Sequence, residues 1–183
     1  KQINELFQYS TDSSLKGYQQ RLLLELIYGL GMSLTKIVNI KSATPELDEG
    51  RVRLYFQNSR YRDYPFSQPA LNILKSYLKL IDSIEGRNTF WINKNAKALS
   101  TTQLQNLLNK YFEAHDLPAI NANELRDLSV QHFSQEGADI RSLQALRQFK
   151  QLRRLQSLNE PDFSHLQKSF KQKHLRNTVL KET

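Results

Sequence analysis

The run Tyr18-Gln-Gln-Arg-Leu-Leu-Leu-Glu-Leu-Ile-Tyr-Gly-Leu-Gly31 limits what this chain can become more than any other stretch. It is made of good helix formers and ends at a Gly pair, where a helix C-cap costs little. Leu and Ile dominate it, so it reads as a buried helix that other elements have to cover. It is too short to cross a bilayer, which takes about 20 apolar residues. The longest apolar candidate, Leu22 to Leu34, is also broken by Glu25 and several Gly. With 183 residues the chain can build one main globular unit around such a helix.

The elements that would cover it are mostly helical. A short helix is expected over Leu34 to Ile40, after which Ser42-Ala43-Thr44-Pro45 breaks the pattern. Arg51-Val-Arg-Leu-Tyr-Phe56 and Arg60-Tyr-Arg-Asp-Tyr-Pro-Phe66 are β-prone runs around the turn-prone Gln57-Asn58-Ser59 and predict a hairpin. Pro69 to Ile81 repeats Leu71, Leu74, Leu78 and Ile81 at helical spacing, and Asn88 to Asn93 reads as one further strand. Then Ser100 caps a helix to His115, Asn121 or Asn123 starts another that Gly137 closes, and Asp139 caps a third from Ile140 to about Phe149. Two more helical stretches follow, around Arg153 and from Asp162 to His174. The fold class is mainly α with a small antiparallel β-sheet (α+β). Residues 1–17 form an N-terminal segment or linker, residues 18–176 the domain, and residues 177–183 a flexible tail.

Charge narrows the partners. With 26 Lys and Arg against 18 Asp and Glu, the net charge of +8 favours polyanions, nucleic acid first. The absence of cysteine excludes disulfides and thiolate metal sites and fits a reducing cytoplasm. The N-terminal residues lack the layout of a signal peptide. His115, His132, His165 and His174 show neither metal-ligand nor triad spacing, and no phosphate-binding glycine loop is present. No metal, cofactor, membrane or small-molecule substrate is therefore expected. One hairpin face would carry Arg51, Arg53, Arg60 and Arg62 among tyrosines, a mixture suited to phosphate contact and stacking, or to a merely solvated antiparallel face. Arg141, Arg147, Lys150, Arg153 and Arg154 form the densest basic region, in which 147, 150 and 154 share a helical face.

Two motifs carry a family resemblance. Leu26-Ile-Tyr-Gly-Leu-Gly-Met-Ser-Leu-Thr-Lys-Ile-Val-Asn-Ile40 is similar to the block L-Y-A-T-G-L-R-V-S-E-L-V-G-L. Asn123-Glu-Leu-Arg126, followed by Gln135-Glu-Gly-Ala-Asp-Ile-Arg-Ser-Leu-Gln-Ala-Leu146, resembles H-K-L-R…E-Q-G-A-D-L-R-A-V-Q-E-L-L-G-H. Pro161-Asp-Phe-Ser-His-Leu-Gln-Lys continues the likeness downstream. These blocks, in this order and spacing, resemble the C-terminal catalytic domain of the tyrosine recombinase (phage integrase) family, of the XerC/XerD type, over roughly Gln19 to Arg176. The resemblance implies the DNA breaking-rejoining fold.

It also implies a site that has lost its chemistry. In the family a tyrosine attacks the scissile phosphodiester, two arginines and a histidine hold the phosphoryl oxygens, and a lysine protonates the leaving 5′-hydroxyl. Here the first arginine falls on Ser33, the lysine on Gln57, one histidine on Asn123, the second histidine on Phe149 and the nucleophile on Leu158. Arg126 alone matches. Lys36 stands where the family pattern usually carries Glu. No slipped register restores the nucleophile, because the last tyrosine in the chain is Tyr111. The expectation is a pseudoenzyme that binds double-stranded DNA through Arg126, Arg60, Arg62, Arg141, Arg147, Lys150, Arg153 and Arg154. Arg126 could instead be a structural arginine paired with Glu124 or Asp127. The apolar stripe Phe163, Leu166 and Phe170 suits docking to an active tyrosine recombinase, to a second copy, or back onto its own domain.

Overall fold

The computed structural model describes Phe7, residues 12–46 and residues 50–138. By contacts the chain divides into two compact units, Lys1–Ser129 and Val130–Thr183. The helix expected at Tyr18 starts earlier, as α1 (Leu15–Leu24), because the Ser14 side chain accepts from the Gly17 N–H and caps it. It continues in a π-helical turn, Glu25–Gly29, and the chain then turns at Gly31 with φ of +63°. Leu22, Leu23, Leu24, Leu26 and Ile27 are fully buried, and α1 packs against the two long helices that follow the sheet. Phe7, ahead of this helix, also belongs to this packing. The Phe7 ring packs tilted against Tyr28, with centroids 5.3 Å apart, and lies under the Arg21 guanidinium at 4.7 Å.

Helix α2 (Leu34–Val38) is capped by Ser33 and ends at Val38, two residues short of the expected Ile40, with Asn39 as its C-cap. Ile40 instead opens strand β1 (Ile40–Glu46), an element that the Ser42–Pro45 run concealed. Proline donates no hydrogen bond and is tolerated on an edge strand, and β1 lies at one edge of a three-stranded antiparallel sheet ordered β1-β2-β3, with a bulge between Ile40 and Ser42. The predicted hairpin is β2 (Arg51–Phe56) and β3 (Tyr61–Pro65).

Helix α3 (Gln68–Asp82) has Ser67 as its cap and Pro69 in its first turn. Its buried face carries Ala70, Leu71, Leu74, Tyr77 and Ile81, with Tyr77 taking the place expected of Leu78. The strand expected over Asn88–Asn93 does not form, and only Ile92 makes an isolated bridge, to Ala98. The run is apolar because Phe90, Trp91 and Ile92 are buried outright. Two of its carbonyls find side chains in place of a ladder: Tyr77 donates to the Phe90 carbonyl at 2.7 Å and Gln19 to the Ile92 carbonyl at 2.6 Å. Helix α4 (Thr101–Ala114) begins in a capping box between Ser100 and Gln103. Helix α5 (Ala122–Gln135) begins after Asn121, whose side chain accepts from the N–H groups of Asn123 and Glu124. Gly137, at φ of +90°, follows its end. Among the described residues no helix is long and apolar enough to cross a membrane.

Candidate nucleic-acid interface

Strand pairing decides where the hairpin arginines go. Arg53 pairs with Asp63 across the ladder and Leu54 with Arg62. Alternation therefore puts Arg51, Arg53 and Tyr55 on one face with Tyr61 and Asp63, while Arg62 shares the other with Val52, Leu54 and Tyr64. The expected single face of four arginines does not exist. Asp63 receives a two-pronged ion pair from Arg53, at 2.7 and 2.9 Å, with Arg51 at 3.9 Å. That hydrogen bonding from Arg53 holds the Asp63 carboxyl below its ordinary range. Much of this face's positive charge is thus neutralised. Arg60 is exposed in the turn ahead of β3.

On the opposite face three elements bring cations together. Lys36, from α2, donates to the Tyr64 hydroxyl at 2.6 Å and lies 5.3 Å from the Tyr64 ring and 5.4 Å from the Phe56 ring. Arg62, from β3, stands over the same Tyr64 ring at 5.4 Å. Arg126, from α5, donates through Nε to the Gly31 carbonyl at 2.7 Å. Burial pushes the Lys36 ammonium down to about 8, and the positive charges of Arg62 and Arg126 push it the same way. All three side chains are half-buried, inside reach of a ligand yet partly shielded from water.

The predicted site residues divide accordingly. The charges of Arg62 and Arg126 both act on Lys36, and Ser33 lies on the same stretch as Gly31, its hydroxyl engaged by the Lys36 N–H as the cap of α2. Gln57 has an exposed side chain and is tied by its N–H to the Asn39 carbonyl at 3.0 Å. Asn123 is exposed on the first turn of α5, one turn before Arg126. Phe149, Leu158, Arg141, Arg147, Lys150, Arg153, Arg154, Phe163, Leu166 and Phe170 lie outside the described residues, as do the helices predicted after Asp139. Lys36 was missing from the predicted site. Its signal was available in the sequence as a Lys at a position patterned for Glu.

Residues 1–165 match the Phage integrase family. The chain belongs to that family, the tyrosine recombinases. Among similar proteins, the tyrosine recombinase XerC of Staphylococcus carnosus is 26% identical over 148 residues, 79% of this chain and 50% of that protein. The tyrosine recombinase XerD of Staphylococcus saprophyticus is 24% identical over 183 residues, 96% of this chain and 62% of that protein. This tyrosine recombinase relative thus spans about half the length of the curated proteins it matches first. The crystal structure of the XerH site-specific recombinase bound to a palindromic difH substrate has the same fold, with a TM-score of 0.70 at 16% identity, over 92% of this chain and 49% of that one. The mostly helical fold with a small antiparallel sheet is therefore the recombinase fold, as the motifs led us to expect.

Proposed function

We propose that this tyrosine recombinase relative is a non-catalytic protein that binds double-stranded DNA and serves as an accessory or regulatory factor in site-specific recombination. The observation that carries the reading is the placement of Arg126, anchored on the Gly31 carbonyl two residues from Ser33. The arginine that matches the family pattern is held where it can grip a phosphate, beside a serine that offers no second cationic clamp. Gripping needs only positive charge and shape, whereas cleavage needs a nucleophile, and Leu158 has none. Loss of one electrostatic contact costs about 10² to 10³ in rate, and loss of the nucleophile removes the covalent route altogether. Duplex DNA as ligand is supported by family membership, by the net charge of +8 and by the fold shared with a recombinase solved on its difH substrate.

The test is fluorescence anisotropy with a labelled duplex of about 30 base pairs across a salt series, for the wild type and Arg126→Ala. A nicked duplex run in parallel reports covalent adducts. The expected result is salt-sensitive binding, a weaker complex for Arg126→Ala with a salt slope lower by about one, and no adduct. A covalent protein–DNA adduct would overturn the non-catalytic reading. Absence of duplex affinity at low salt would overturn DNA binding and favour the alternative, an interaction module that joins an active recombinase or a second copy through Phe163, Leu166 and Phe170.

A further inference from the structure

We propose that Lys36, Arg62 and Arg126 form one anion site that holds a single backbone phosphate, with Lys36 supplying the cation that Ser33 lacks. The inference rests on the DNA-binding reading for the identity of its ligand, and it adds which residues make the contact and how pH controls it.

The geometry comes from three separate elements. Two of the cations share one aromatic ring: the Lys36 ammonium lies 5.3 Å from the Tyr64 centroid and the Arg62 guanidinium 5.4 Å from it. Tyr64 is buried, and its hydroxyl accepts from Lys36 at 2.6 Å, which fixes the ammonium in place. Arg126 is fixed independently by the Gly31 carbonyl. Its charge and that of Arg62 both act on Lys36. The like charges of Arg62 and Arg126 disfavour the charged form of Lys36, and an anion bound beside it would favour that form.

The sequence change fits the same account. Lys36 lies three residues after Ser33, on the helix that Ser33 caps, at a position patterned for a carboxylate. Exchange of a negative group for a positive one more than offsets the charge lost at Ser33. A phosphodiester suits the trio because it carries one negative charge and several acceptor oxygens. The planar guanidinium groups of Arg62 and Arg126 can each pair with those oxygens, and the Lys36 ammonium acts as a point charge.

The site has a distinctive consequence. The Lys36 ammonium, held at about 8 by burial and by Arg62 and Arg126, is partly discharged just above neutral pH, and it donates to the Tyr64 hydroxyl. A phosphate between the cations restores the charged form, so binding takes up a proton above pH of about 8, and affinity falls with rising pH by up to tenfold per unit. Arginine stays charged throughout this range.

The experiment measures duplex affinity at fixed low salt from about pH 7 to about pH 9.5 for the wild type, Lys36→Arg and Lys36→Met. NMR of the Lys36 side chain during titration of the free protein with inorganic phosphate runs beside it. The inference expects wild-type affinity to fall by about tenfold per pH unit above about 8, Lys36→Arg to bind with a flat profile, and Lys36→Met to bind about tenfold more weakly at pH 7. Phosphate should raise the pH at which Lys36 titrates. A wild type that binds duplex with the same pH profile as Lys36→Arg would overturn this site while leaving DNA binding intact. If the wild type fails to bind duplex but phosphate raises the Lys36 titration, the anion site stands and the DNA reading falls. If phosphate leaves Lys36 unmoved, the site is overturned even where Lys36→Met folds poorly.

Discussion

The hydroxyl of Tyr77 donates to the Phe90 carbonyl at 2.7 Å and accepts from Gln19 at 3.3 Å, in a place that water does not reach. Burial pushes its pKa up, so it remains a donor over the whole working range. Tyr77→Phe keeps the ring packing on Phe90 and Trp91 but leaves that carbonyl without its donor, and should cost about 1–3 kcal/mol in chemical denaturation. Gly17 presents the opposite case to the usual helix rule. An added Cβ there would sit 2.0 Å from the Asp12 carbonyl oxygen, inside the capping turn. Gly17→Ala is therefore expected to destabilise by about 1–3 kcal/mol, although the same exchange in an open helix stabilises by about 1 kcal/mol. At Asp63 the pKa is depressed by Arg53, so its contribution is present above the unfolded carboxylate range and is lost as pH falls through the lower folded value. Thermal midpoints of wild type and Asp63→Asn should differ at neutral pH and converge in acid.

At the scale of elements, local chemistry often sufficed. The Ser100 and Gln103 capping box starts α4 where the sequence placed it, and Ser100→Ala should cost about 1 kcal/mol by urea denaturation, with helix content otherwise kept. The hairpin of β2 and β3 was legible because β-branched and aromatic residues flank a turn tripeptide. Strand β1 was not, since its proline and small residues resemble a breaker, and only pairing with β2 makes it a strand. Asn88–Asn93 failed the other way. An apolar run looks alike in a strand and in a buried irregular segment, and here the aromatic packing of Tyr77, Phe90 and Trp91 decides. Arg62 illustrates a register effect: one residue along a strand reverses the face, so Arg62 joins Lys36 while Arg53 joins Asp63.

For the molecule as a whole, the net charge of +8 sets the long-range attraction for a polyanion, and the cation cluster sets where contact is made. Duplex affinity is expected to fall on the order of tenfold to a hundredfold between about 50 and about 200 mM salt, because each neutralised phosphate releases counterions. Anisotropy titrations at several salt concentrations measure the slope, and a flat dependence would mean that the charge is not used on DNA.

The sequence by itself determined the central helix, its end at the Gly pair and the hairpin, together with the family, because these depend on nearest-neighbour propensity and on ordered motifs. It also determined which chemistry each position can supply, since serine, glutamine and leucine carry no cationic clamp, acid or nucleophile. Only the tertiary structure decided that Lys36 belongs with Arg62 and Arg126. These residues are far apart in the chain, and what joins them is strand register, the end of α2 and the packing of α5 against Gly31, long-range terms that no local window contains.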